Sequence, residues 1–278
     1  MLENIVNAAM PAARTIAIHR LAPRVGLRAV EDQVAAEEPL EIRVEGQTLA
    51  IVMRTPGEDR ELAAGFLLTE GVIKSARDLF DLTSCVAPGG AEDANVVDAA
   101  LVHPGGFDVS KLSRHVFTSS SCGMCGKTSI EAAMKRRKRL RDRTRVPAKT
   151  ILALPERLAK EQTTFKATGG LHACALFSKT GELIAVREDV GRHNALDKLI
   201  GWALLEKRTP LSGHLVLLSG RSSFEMIQKA HAGGIPIVAA IGAPSSLAVD
   251  FARKAGLTLC GFVRDRSMNI YAGAERVT

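Results

Sequence analysis

The sequence predicts an α/β fold, with a partly parallel sheet and flanking helices in the second half of the chain and a smaller α+β unit before it. Three observations carry this. After residue 170, short apolar runs alternate with helical patterns, as a parallel sheet with crossover helices requires. Near residue 40, two runs alternate apolar and polar residues with the period of a half-buried strand. The 278 residues, 46% hydrophobic and 24% charged, are enough for a sizeable core and match an ordinary globular protein. The expected organisation is a flexible N-terminal arm over 1–34, a smaller α+β domain over 35–145 and an α/β domain over 146–278.

In chain order, residues 1–34 are mixed and rich in Ala and Arg, which reads as a loosely held arm. Leu40, Ile42 and Val44 alternate with Glu41, Arg43 and Glu45. Gly46-Gln47 turns the chain, and Leu49, Ile51 and Met53 alternate again, giving a hairpin with one buried face. Thr55-Pro56-Gly57-Glu58 opens a helix bearing Leu62, Phe66 and Leu67, with Gly71 as its stop. Residues 84–106, with Pro88 and His103-Pro104-Gly105-Gly106, read as loops around short strands. A helix with Ile130, Ala133 and Met134 on one side is expected to end in the basic run Lys135 to Arg145.

The second half begins with a strand pair, Leu171 to Ser178 and Leu183 to Val186. Leu196, Leu199, Ile200, Ala203 and Leu204 form a helical face. Leu215–Leu218 is a strand, and Ser219-Gly220-Arg221 turns into a helix with Phe224 and Ile227. Ile235–Ile241 is a strand. Pro244-Ser245 opens a helix with Leu247, Phe251 and Ala255, Gly256 ends it, and Leu257–Val263 is a strand again.

The formal net charge of +7 suits an acidic partner or a phosphate-bearing ligand. With one Trp and one Tyr, a base-stacking platform for nucleic acid is disfavoured. Met1 to Arg14 lack the apolar run of a signal peptide, and no stretch approaches the ~20 apolar residues that span a bilayer. Five cysteines, only two of them close together in sequence, do not form a disulfide scaffold. A reducing cytoplasm without a membrane or nucleic-acid partner is expected.

The close pair lies in Cys122-Gly123-Met124-Cys125-Gly126-Lys127, after Thr118 and three serines. A nucleophilic sulfur must be a thiolate, and a helix N-terminus and a nearby Lys127 both favour that form. Cys122 is the candidate sulfur acceptor and Cys125 its helper. Structural zinc needs four ligands, and no second CxxC or H-x₃-H pair is present. A thioredoxin-like motif would follow an early strand. A Walker A loop would need Gly where Ser121 stands.

Three strand-to-helix or strand-end segments are candidate ligand sites, because α/β sheets bind ligands at strand carboxyl ends. Asp189, Arg192 and His193 either bind a ligand or position the sulfur; alternatively Asp189 or Asn194 caps a helix. Ser219, Gly220 and Arg221 offer backbone N–H groups and a cation to phosphate, or serve as a cap. Phe262, Val263, Arg264, Asp265, Arg266 and Ser267 close the last strand with two arginines suited to an anion. The basic run reads as a solvated helix or a docking face for an acidic partner rather than an RNA site.

These motifs, in this order, resemble the FdhD family: the Cys-Gly-x-Cys-Gly loop, Thr168-Gly169-Gly170-Leu171-His172, Arg187 to Lys198, Ser219-Gly220-Arg221 and Gly242-Ala243-Pro244-Ser245-Ser246-Leu247-Ala248. The resemblance covers about residues 35–270. It implies a sulfurtransferase of the carrier type, with a persulfide on Cys122. The implied donor is a cysteine desulfurase, and the implied acceptor is the molybdenum cofactor in its bis-molybdopterin guanine dinucleotide form, before insertion into formate dehydrogenase. It further implies a GDP-like ligand near Phe262 to Ser267, a homodimer and a cytidine-deaminase-like fold. The deaminase signature H-x-E is absent, which argues against deamination. A cofactor-binding chaperone without sulfur transfer and a zinc-dependent nucleotide enzyme are the alternatives.

Overall fold

The computed structural model describes residues 12–23, 26–86, 92–104 and 138–278. The cysteine loop, the helix expected after it and the start of the basic run lie outside the described residues.

Residues 13–35 are not a loose arm. β1 (Ala13–Ala22) and β2 (Gly26–Ala35) form an antiparallel hairpin in register from Ala13↔Ala35 to Ala22↔Gly26. Its faces are largely exposed and carry Arg14, Arg20, Arg28, Glu31 and Asp32, so no apolar stripe announces it in the sequence. It is tied to the body by an Arg14–Glu38 ion pair.

β3 (Glu38–Val44) and β4 (Gln47–Arg54) make the predicted hairpin. Its turn is Glu45-Gly46, both at positive φ (52° and 73°), the geometry of a two-residue hairpin loop. Leu40, Ile42 and Val44 are buried as expected, but Ile51 and Met53 are exposed. The register shifts between Ile42 and Arg43, so Ala50 rather than Ile51 faces inward beside Ile42. β5 (Leu79–Val86) and β6 (Glu92–Leu101) supply strands to the stretch read as loops around short strands, β6 running longer than expected, and complete a sheet of order β4-β3-β6-β5.

The second half builds a mixed six-stranded sheet. It comprises β7 (His172–Ser178), β8 (Leu183–Asp189), β9 (His214–Leu218), β10 (Ile237–Ala240), β11 (Thr258–Gly261) and β12 (Asn269–Ala272), in the order β12-β11-β10-β9-β7-β8. The central strands β9, β10 and β11 run parallel, and the others are antiparallel to their neighbours. Period-two alternation buries both faces. Cys174, Leu176, Val216, Leu218 and Val238 face one core, while Ala173, Ala175, Phe177, Leu215 and Leu217 face the other.

Helices α2 (Ala148–Leu152) and α3 (Leu154–Glu161) cover the second face with Ile151, Leu154 and Leu158; α4 (Thr163–Thr168) leads into β7. The first face is covered by α5 (Arg192–Leu205), α6 (Phe224–Ala232) and α7 (Ser246–Ala255), together with α1 (Asp59–Thr69) from the N-terminal half. The cap of α7 is the Ser245 side chain, which accepts from the Ala248 N–H, and Gly256 ends the helix at φ 77°.

The two halves share this core, since Leu40, Leu62 and Val97 belong to one cluster with Leu196, Val216 and Leu259. α1 and α5 meet backbone to backbone at Gly65 and Gly201. A Cβ on Gly65 would lie 1.9 Å from the Asp197 carbonyl oxygen, and one on Gly201 would lie 1.7 Å from that of Glu61. No helix among the described residues is long and apolar enough to cross a membrane.

Candidate site at the strand carboxyl ends

The parallel strands β9, β10 and β11 all end at one edge of the sheet, beside the start of β7 and the end of β8. There the segments 219–223, 242–245 and 261–264 crowd together, because glycines replace side chains at the contacts. A Cβ on Gly242 would lie 2.8 Å from the Gly220 carbonyl oxygen, and one on Gly261 would lie 2.9 Å from Pro244 Cδ. Backbone bonds fix the arrangement: Gly242 N–H to Gly220 O at 3.0 Å, Ser222 N–H to Ala243 O at 3.1 Å and Phe262 N–H to Gly242 O at 3.2 Å. This is the edge where open α/β sheets hold ligands.

Of the predicted residues, Ser219, Gly220, Arg221, His193, Phe262 and Arg264 come to this edge. Ser219 serves the scaffold, its Oγ accepting from the Ala173 N–H at 2.8 Å. Gly220 lies under the His172 ring; a Cβ there would be 3.2 Å from Nδ1. Arg221 is exposed. His193 Nε2 pairs with Glu225 Oε2 at 3.2 Å, and Ser223 Oγ donates to the same oxygen at 3.1 Å. Phe262 stands in the left-handed region, φ 52°, with its ring largely exposed. Arg264 braces the strand ends through Nη1 to the carbonyls of Ile241 (2.8 Å) and Val263 (2.9 Å). Asp265 and Arg266 are exposed and pair only loosely with each other, at 3.5 Å. The Ser267 carbonyl accepts from the Arg264 N–H at 2.9 Å.

Two predicted residues do not face the mouth. Val263 is fully buried in the second core. Asp189 is fully buried and occupied as a structural clamp. Its carboxylate pairs with Lys198 Nζ at 3.0 Å and accepts from Thr55 N–H, Gly191 N–H and Asn194 Nδ2 at 3.1, 2.8 and 2.9 Å. Burial pushes its carboxyl up, while Lys198 and the bonds from Gly191 and Asn194 pull it down. Lys198 also donates to the Thr55 carbonyl at 2.8 Å, so the connection before α1 is pinned to the one before α5. Neither Asp189 nor Asn194 caps α5, whose N-cap is Gly191.

The expected Arg192 completes the mouth together with His172, Ser222 and Glu225, which are not among the predicted ligand residues. Burial holds the His172 imidazole below its ordinary pKa, helped by Arg192, His193 and Arg221 nearby. The Glu225 carboxyl is held below its ordinary range, chiefly by the hydrogen bond from His193. Arg192 Nε and Ser222 Oγ are buried without a hydrogen-bond partner among the described residues. Both can donate to an anion. Arg192 is expected from its strand-to-helix position; nothing local in the sequence marks Glu225. Cys122 and Cys125 lie outside the described residues, and Cys174 and Cys260 are buried. No cluster of metal-ligating side chains occurs among the described residues.

The mouth can hold an anionic, phosphate-bearing ligand. It joins cations, a hydroxyl and close backbone approach in one place.

A model of the family described as FdhD/NarQ matches residues 35–278. The chain is 52% identical over 251 residues to a protein named sulfur carrier protein FdhD from Streptomyces coelicolor, covering 88% of this chain and 89% of that one. A protein of the same name from Anaeromyxobacter dehalogenans is 44% identical over 289 residues, covering 100% and 98%. Among solved structures, a protein described as a formate dehydrogenase accessory protein from Desulfotalea psychrophila superposes with a TM-score of 0.75. It is 26% identical, and the match covers 96% of this chain and all of that one.

Proposed function

The chain belongs to the FdhD/NarQ family, and from that premise we propose that it is a sulfur carrier serving formate dehydrogenase. The names of its relatives support the role. The observation that carries the chemical reading is the cation-lined mouth, where Arg192 Nε and Ser222 Oγ are buried without partners beside Arg221, His172 and the close-packed Gly220 and Gly242.

In the finer reading, the Cys122 thiolate attacks the terminal sulfur of a cysteine desulfurase persulfide and the donor's thiolate leaves. Cys122 then holds the sulfur as a persulfide. Attack by Cys125 on Cys122 Sγ breaks the S–S bond, releases hydrosulfide to the acceptor and leaves a Cys122–Cys125 disulfide for an external thiol to reduce. The acceptor is the molybdenum cofactor, bound as substrate, and its guanine dinucleotide phosphates occupy the mouth. Arg221 and the free edge of Arg264 face the phosphates, and neutral His172 offers a hydrogen bond without adding charge. The chain works in the cytoplasm as a homodimer.

The test is intact-mass and peptide mapping after incubation with a desulfurase and cysteine. One added sulfur on Cys122 is expected; sulfur on Cys85, Cys174 or Cys260 refutes the assignment. Calorimetry with GDP tests the mouth, and unchanged affinity in both Arg221→Ala and Arg264→Ala removes it. A chaperone without sulfur transfer is the second reading; the described residues of the mouth include no cysteine. Cys122→Ala separates the two, since a carrier loses transfer and keeps GDP binding.

A further inference from the structure

The basic run is not a helix end over its described part. Residues 139–146 form an extended strap along the amino-terminal edge of the six-stranded sheet, opposite the mouth. Its side chains alternate. Arg139, Arg141, Arg143 and Arg145 are exposed, whereas Leu140, Asp142, Thr144 and Val146 turn inward.

The inward side is anchored. The Leu140 N–H bonds the Ala255 carbonyl at 2.9 Å, and the Val146 N–H bonds that of Arg276 at 2.8 Å. Asp142 accepts from the N–H groups of Thr144 and Gly213 at 2.7 and 3.0 Å. The strap lines an open cleft of about 870 Å³ together with Lys179, Ser212, Gly213 and Gly234. Arg141, Arg143, Arg145 and Lys179 make no ion pair with a described residue. Among the described residues that line it, Asp142 is the only carboxylate, and it is already engaged.

We propose that this cleft is a docking site for an acidic, extended segment of a partner protein. Alternate residues of an extended chain recur about every 6.6–6.8 Å, so carboxylates at every second position of such a segment match the spacing of the arginines. Among the described residues, the cleft lining has no aromatic ring on which a base could stack, which favours peptide over single-stranded nucleic acid. Exposed cations without an ion pair among the described residues raise the local concentration of an acidic partner. The inference goes beyond the sulfur-carrier reading and does not depend on it.

The test uses the full-length protein and a fluorescein-labelled peptide of alternating Glu and Ser, followed by anisotropy. A single-stranded oligonucleotide of equal charge is the second probe. Peptide affinity is expected to fall about tenfold or more in the triple variant Arg141→Gln, Arg143→Gln, Arg145→Gln. The control triple Arg28→Gln, Arg77→Gln, Lys254→Gln keeps the overall charge change while leaving the cleft intact, and stays within about twofold. Lys179→Gln weakens binding on its own, which keeps the test usable if the triple variant folds poorly. Equal losses in strap and control variants, or tighter binding of the oligonucleotide than of the peptide, overturn the proposal.

Discussion

Replacing Gly201 by Ala is expected to be strongly destabilising, although Ala is the better helix former. The propensity gain is about 1 kcal/mol. Against it, the new Cβ would lie 1.7 Å from the Glu61 carbonyl oxygen and 2.7 Å from both the Glu61 carbonyl carbon and the Gly65 nitrogen. These are backbone atoms of a helix, so no rotamer change relieves the overlap. α1 and α5 must part by roughly 1 Å or more, loosening a core that includes Leu62, Leu67, Leu196, Ile200 and Leu204. Overpacking of this kind costs about 3 kcal/mol or more, which outweighs the propensity gain. The net loss is about 2–3 kcal/mol, or a fall in Tm of roughly 4–10 °C for a chain of this size. Urea unfolding followed by the fluorescence of Trp202, the only Trp and a neighbour of Gly201 on α5, reads the change. Gly65→Ala should behave alike, and the double variant should cost less than the sum, because one separation accommodates both methyl groups. A midpoint equal to or above that of the parent in Gly201→Ala would refute the reasoning.

Lys229→Met is expected to cost about 3–5 kcal/mol, because it leaves the buried Asp197 carboxylate without its cation, 2.8 Å away. Adding Asp197→Leu should recover most of that loss in the same urea assay. The folded pKa of Glu225 is depressed, so its stabilisation is present above the ordinary carboxylate range and is lost as pH falls through the folded value. Glu225→Gln should therefore flatten the fall of the urea midpoint below about pH 4.5. The folded pKa of His172 is also depressed. Unfolded chains take up its proton first as pH falls below about 6.5, so stability drops in that window, and His172→Gln should remove this contribution. Cys174 and Cys260 are buried, and burial pushes the Cys260 thiol up to about 12 and the Cys174 thiol up as well. Both should resist iodoacetamide in the native protein and react in denaturant, as read by peptide mass; native labelling of either would contradict the packing described.

What the sequence determined by itself were patterns written within a few residues. The apolar runs Ala173–Phe177 and Leu215–Leu218 specify strands buried on both faces. The helix start at Ser245 and the stop at Gly256 follow from backbone groups that need a cap and a left-handed residue. The motifs from Cys122 to Ala248 were enough to place the chain in its family. Tertiary structure decided what depends on residues far apart in the chain. Ile51 and Met53 face solvent because a bulge against β3 moves them outward. Asp189, a plausible ligand contact on sequence grounds, is a clamp because Thr55 and Lys198 fold onto it. The strap at 139–146 is extended because Ala255 and Arg276 supply its backbone partners, where local composition suggests a helix. Gly65 and Gly201 lower the helix propensity of α1 and α5, yet their missing side chains are what lets those helices touch. Burial period and capping are local properties of the chain. Contact between surfaces more than a hundred residues apart depends on how those surfaces pack, and no short pattern encodes it.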